Sequence, residues 1–182
     1  MLTYNVENEE VLFCRESITR INGADVQQLV ALAKSTSRER IRLCSHYDTN
    51  DPLHEMVIVH SKNTYVRPHQ HLGKPESFHV IEGTVDVIMF DENGDIREVI
   101  QMGNYGSDRV FYYRIATPIY HTLLIRSDVL VFHETTTGPF NRADTVFSPW
   151  SPEESDSAGC ALFMEKLTLA AENFLSMEAN KS

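Results

Sequence analysis

Between residues 54 and 136 the chain consists of eight short runs rich in β-branched and aromatic residues, each bounded by turn formers. They are Glu55 to His60, Tyr65 to His71, Ser77 to Ile81, Thr84 to Phe90, Ile96 to Met102, Val110 to Ile115, His121 to Ile125 and Val129 to Glu134. Runs of this length and spacing are too short for ordinary helices and fit a closed or sandwiched antiparallel sheet. Asp91-Glu92-Asn93-Gly94-Asp95 divides two of them, and its Asn-Gly takes positive φ cheaply, so a hairpin is expected there. The expected fold class is mainly β: a single small barrel or jelly roll with one helix before it and one after.

The flanks differ in texture. Residues 1 to 50 read as a leader plus one helix, an N-terminal extension packing on the barrel. Asn22-Gly23-Ala24-Asp25 offers the capping start, and Val26, Leu29, Val30, Leu32 and Ala33 recur at helical spacing until Ser35-Thr36-Ser37. Residues 51 to 138 form the barrel. Residues 139 to 182 hold an irregular tail with the only tryptophan, Trp150, and an amphipathic C-terminal helix carrying Leu162, Phe163, Leu167, Ala171 and Phe174. At 182 residues one structural domain is expected overall.

Composition narrows the partners. A net charge of -10 argues against nucleic acid and anionic membrane surfaces, both of which need clustered positive charge. One basic run, Arg38-Glu39-Arg40-Ile41-Arg42, interrupts the acidic average; it either pairs with Asp and Glu or binds an anionic small molecule. Three widely spaced cysteines fit reduced thiols, and no stretch approaches a membrane span or a signal sequence, so a cytoplasmic location is expected.

The chemistry is concentrated in Arg67-Pro68-His69-Gln70-His71-Leu72-Gly73-Lys74-Pro75-Glu76, followed by Gly83. On a strand, residues i and i+2 share a face about 6.6 Å apart, so His69 and His71 can offer two imidazoles to one ion. The Gly- and Pro-containing turn then returns Glu76 towards the same point. A His-x-His pair alone is weak evidence among eight histidines, but with the Glu and Gly at fixed spacing the chance expectation falls to roughly one in a thousand. His121, at a turn-to-strand junction after Pro118, is the expected fourth ligand. Three imidazoles and a carboxylate leave coordination places open, as a working rather than a purely structural site requires. The expected cofactor is one divalent ion, and Fe, Mn, Ni, Co and Zn all suit the set.

The spacing His-x-His-x4-Glu-x6-Gly with a distant His resembles the cupin metal motif, with Asn63 and Pro118 where glycines are usual. Within the cupins the chain resembles the WbuC family of cupin metalloproteins. That likeness covers residues 38 to 152 and includes Tyr65 to His71, Ser77 to Gly83, the Phe90 to Gly94 turn, His121-Thr122-Leu123, Gly138-Pro139-Phe140 and Phe147 to Pro152. The resemblance implies a cupin barrel (double-stranded β-helix), a bound metal and an association with bacterial surface-polysaccharide biosynthesis. It therefore suggests a sugar or nucleotide-sugar precursor as ligand, with the metal as Lewis acid.

Whether the chain is an enzyme, an isomerase or epimerase, stays open beside a non-catalytic sugar-binding module and an acireductone-type dioxygenase. Candidate catalytic residues are Arg67 and Tyr65, placed by period two on the face of His69 and His71, and His46 at the site entrance. Arg67 would clamp an anionic group of the ligand or pair with Glu82 or Glu134. His79 is out of phase and should face away; His54, His60 and His133 carry no spacing argument. Edge strands and the C-terminal helix suggest a homodimer.

Overall fold

The computed structural model describes residues 2–181. Among them, twelve strands form two facing sheets. The larger runs β1 (Tyr4–Asn8), β2 (Val11–Cys14), β3 (Arg40–Cys44), β4 (Leu53–Ser61), β11 (Val129–Thr137), β6 (Glu76–Glu82) and β9 (Tyr112–Ile115). The smaller runs β12 (Thr145–Phe147), β5 (His69–His71), β10 (Tyr120–Ile125), β7 (Thr84–Phe90) and β8 (Ile96–Gly103). All named pairs are antiparallel except β2 with β3.

Period-two alternation sorts each strand between an inner and an outer face. Met56 and Ile58 of β4, Phe78 and Val80 of β6, Val85 and Val87 of β7, Leu123 of β10 and Phe132 of β11 meet in the central core. The outer residues Val57, Val59 and Val131 pack under α1 (Gly23–Ala33), against Val26, Leu29 and Ala33. On the opposite flank Ile88, Phe90, Tyr120 and Leu124 pack under α2 (Ser157–Ala179), against Leu167 and Ala171. The order of layers is thus helix, sheet, sheet, helix.

Local chemistry fixes several joints. Asn22 caps α1, its side chain accepting from the backbone of Ala24 and Asp25 while the Asp25 carboxylate accepts from Asn22 N. Gly83, the glycine of the metal-motif spacing, has φ +91, and a Cβ there would stand 2.3 Å from the Val129 carbonyl oxygen, so only glycine fits this turn between β6 and β7. Trp150 lies on Gly94 of the β7–β8 hairpin and against Phe90 and Tyr120, anchoring the tail between sheet and α2.

Two expectations need correction. The sheets do not close into a single barrel: they are separate, with the β8 edge reaching the segment before β9 through the bridge of Met102 with Val110. Residues 1 to 50 also hold more than a leader and a helix, because β1, β2 and β3 extend the larger sheet by three strands.

Candidate metal centre

β5 is three residues long and begins directly after Pro68, whose missing N–H makes it a natural strand boundary. His69 pairs with His121 of β10 and with Phe147 of β12, and His71 pairs with Thr145. Gln70 between them is buried on the other face. The three imidazoles point into the space between the sheets, each offering a nitrogen within 4.8 Å of the others.

Each ring is held by its other nitrogen. His69 Nδ1 lies 2.8 Å from the Arg67 carbonyl oxygen and His121 Nδ1 3.0 Å from that of Ile119. Carbonyl oxygens only accept, so in both rings Nδ1 carries the hydrogen and a neutral ring leaves Nε2 as a bare lone pair. His71 Nδ1 is held by Thr145 Oγ1 at 3.2 Å.

Glu76 arrives from β6 on the facing sheet. Its Oε2 is 3.1 Å from His71 Nε2 and its Oε1 3.7 Å from His121 Nε2. Carboxylate oxygens and imidazole lone pairs repel unless a proton or a cation stands between them, so the donor set fits a divalent ion. Tyr113 Oη donates to Glu76 Oε1 at 3.1 Å and fixes the carboxylate, as outer partners of metal ligands do. Burial works against the Glu76 charge, but the three histidines outweigh it and bring its pKa to about 2. Burial, with His121 and His71 adding to it, lowers His69 to about 3. Burial also opposes the charged form of His71, yet the bond to Glu76 prevails and shifts it upward. The four residues singled out by spacing and resemblance are thus brought together.

The catalytic candidates separate. Arg67 lines the same cavity, about 400 Å³ in volume, but pairs with neither Glu82 nor Glu134. It reaches the Ser148 and Ser151 carbonyls at 3.4 and 3.5 Å and lies over the Phe147 ring. Tyr65 lies before the strand begins, so the alternation does not reach it. Its hydroxyl donates to the Pro152 carbonyl, its ring meets Phe163, and it lines a larger cavity, about 830 Å³, beside α2 that contains none of the three centre histidines. His46 stacks on His54 at 4.1 Å, bonds the backbone of Glu55 and does not line the centre's cavity. His79 is exposed, facing away as expected.

Tyr113, Glu134, His54 and His60, none of which the spacing argument placed at the centre, also line the cavity. Period two along β4 was the available signal, since His54, Met56, Ile58 and His60 share its inner face. Burial, together with Glu76, pushes the half-buried Glu134 carboxyl up to about 7. His60 is 8% exposed, its Nδ1 has no hydrogen-bond partner among the described residues, and burial beside Arg40 and Arg42 lowers its pKa to about 3. Its folded value lies below the unfolded one, near 6.5, so the unfolded chain binds the extra proton. The stabilising contribution is complete above pH 6.5 and is lost as pH falls towards 3, with a slope of at most about 1.4 kcal/mol per pH unit. Urea titrations at pH 7.5 and pH 5 should show a smaller acid loss in His60→Phe than in the wild type. Equal losses would remove His60 as a source of acid sensitivity.

Comparison with known proteins agrees at the level of fold. Residues 21–102 match the model of a family described as a domain of unknown function, DUF6016. No curated protein matches the chain. Among solved structures, protein SO0799 from Shewanella oneidensis superposes with a TM-score of 0.53 at 8% identity, over 66% of this chain and 82% of that one. The chain shares its fold with that protein. The capsular polysaccharide assembling protein CapF from Staphylococcus aureus gives 0.46 at 22% identity, over 59% of this chain and 31% of CapF. Oxalate decarboxylase from Bacillus subtilis, described with Mn(II) centres, gives 0.43 at 15%, over 53% and 24%. This chain therefore spans less than a third of either of those two proteins.

Proposed function

We propose that this chain is a metal-dependent cupin of the WbuC type, in which His69, His71, Glu76 and His121 hold one divalent ion facing a pocket for a sugar-like small molecule. The observation that carries this reading is the convergence of His Nε2 atoms and a buried carboxylate, with the imidazoles tethered through Nδ1. Such tethering fixes tautomer and ring direction in advance and suits metal binding better than a general packing role. When bound, the ion would supply Lewis acidity to ligand oxygens. The protein's part is to exclude bulk water, to orient Glu76 through Tyr113, and to offer Glu134 as a carboxyl able to hold or release a proton near neutrality. The surface-polysaccharide precursor as ligand rests on the WbuC resemblance, as does a homodimeric cytoplasmic protein on the sequence arguments above.

Elemental analysis of the purified protein tests the centre. The wild type should carry close to one equivalent of a transition metal, and a His69→Ala, His71→Ala pair should carry almost none. Stoichiometric metal in the folded double variant would overturn the assignment.

A further inference from the structure

α1 covers the outer face of the larger sheet where β3, β4 and β11 run, over Ile41, Val57, Val59 and Val131. At the far edge, β9 and the segment before it carry an aromatic patch instead. Tyr105 is 81% exposed and its ring meets Phe111 at 5.3 Å; Phe111 meets the exposed His79 at 5.5 Å, and His79 pairs in register with Tyr112. Tyr105, Val110, Phe111 and Tyr112 are all exposed. At about 225 Å² for a whole aromatic side chain, the four present roughly 450 Å² to solvent. Single patches of that size are often interaction sites.

The backbone is open at the same place. Val80 N donates to the Phe111 carbonyl, so in this antiparallel ladder Phe111, Tyr113 and Ile115 turn their N–H and C=O groups towards β6. Tyr112 and Arg114 turn theirs outwards. On that side Val110 is bonded to Gln101 and Gly103 of β8, but β9 ends its sheet, so the groups of Tyr112 and Arg114 have no strand partner among the described residues. The opposite end of the sheet is blunted, because a bulge between Val6 and Asn8 breaks β1 and Glu7 sits within it. β9 pairs without a bulge, and residues 109–115 hold two arginines and no acid. Copies of a chain with net charge -10 repel each other least along such a segment.

The occupant that fits this edge is a second copy. If Tyr113 stands opposite the partner's Tyr113, then Tyr112 faces the partner's Arg114 and Arg114 faces the partner's Tyr112. All the open groups of both strands then meet. A slip in either direction would bring in Val110, already bonded to β8, or Ala116, beyond the strand. This register also lays a guanidinium beside a tyrosine ring twice over, and Arg114 forms no ion pair among the described residues. Area agrees, since a stable interface takes about 800 Å² from each partner, a little over half of it apolar, and the patch matches that share. α2 offers less: Leu162, Leu169 and Met177 are exposed singly, seven or eight residues apart.

Resting on the homodimer proposed above, we infer that its interface is β9, paired antiparallel with the partner's β9 across a two-fold axis so that the larger sheets of the two copies join.

Light scattering on the full-length protein tests this. The wild type should have twice the mass of one chain, and Tyr112→Glu with Arg114→Glu should weaken dimerisation by more than about ten-fold, because each new carboxylate lies directly opposite another. Both side chains are exposed, so circular dichroism should not change. Leu162→Glu with Leu169→Glu on α2 should remain dimeric. Should the β9 variant lose its fold, hydrogen exchange on the wild type decides, since the Tyr112 and Arg114 amides should be protected at high concentration and exchange freely on dilution. A folded β9 variant that dimerises like the wild type, or amides that exchange equally fast at every concentration, would overturn the interface. A dimer broken only by the α2 pair would overturn β9 and leave the homodimer standing, whereas a monomeric wild type would overturn both.

Discussion

Replacing His121 with alanine is expected to weaken metal binding by more than about 100-fold, as measured by competition with a chromogenic chelator. The lower bound comes from outer partners of metal ligands, whose loss typically costs 10–100-fold. Tyr113 is such a partner here, donating to Glu76 Oε1, so Tyr113→Phe should fall inside that range and His121→Ala beyond it. His121 is 4% exposed and its Nδ1 partners the Ile119 carbonyl, so alanine also leaves a void and a carbonyl without its donor, at about 1–3 kcal/mol. Chemical denaturation of the metal-stripped proteins separates the two effects, because the stability loss persists without metal whereas the affinity loss is seen only with it. A folded His121→Ala protein with wild-type affinity would exclude His121 from the cage.

His121 also shows where sequence reading reaches its limit. His69, His71 and Glu76 are legible because a strand, a tight turn and a returning strand are local structures, and their periods translate spacing directly into proximity. His121 is distant in sequence; only the pairing of β10 with β5 brings it opposite His69. The cap at Asn22 and the Asn93-Gly94 hairpin were legible for the same local reason. The first two strands were not: β1 is mostly exposed and β2 has four residues, so neither carries a two-faced pattern long enough to read. In β3 the alternation of Arg40, Ile41, Arg42 and Leu43 was present, but the run was read for what its charges bind, whereas the structure makes it a strand whose Ile41 and Leu43 pack under α1 while Arg38 and Arg40 pair with Glu10 and Glu154. Tyr65 was misplaced because period two was extended back through Pro68 into residues 62–68, which form no strand. His54 and His60 acquire meaning only when β4 is given an inner face, which depends on β11 pairing with it in register.

Phe132→Ala is expected to cost about 3–5 kcal/mol in urea unfolding, the range for deleting a buried aromatic ring. The side chain is 1% exposed on the inner face of β11, central in the larger sheet, and stacks on Phe78 at 4.2 Å while meeting the edge of His60 at 5.4 Å. Strands β4 and β6 hold the backbone on either side, so the surroundings cannot collapse fully into the void. Phe132→Leu keeps most of the volume and should cost less than half as much. The substitution also acts on the metal centre, because Phe78 stacks in turn on Tyr113 at 5.3 Å, and Tyr113 orients Glu76. A loosened stack lets that hydroxyl drift, so Phe132→Ala should weaken metal binding less than Tyr113→Phe does but by a measurable amount. If unfolding free energy falls by the stated amount while metal affinity stays at the wild-type value, the core and the centre are independent, and Glu76 is held by the histidines and the ion rather than by the aromatic stack behind it.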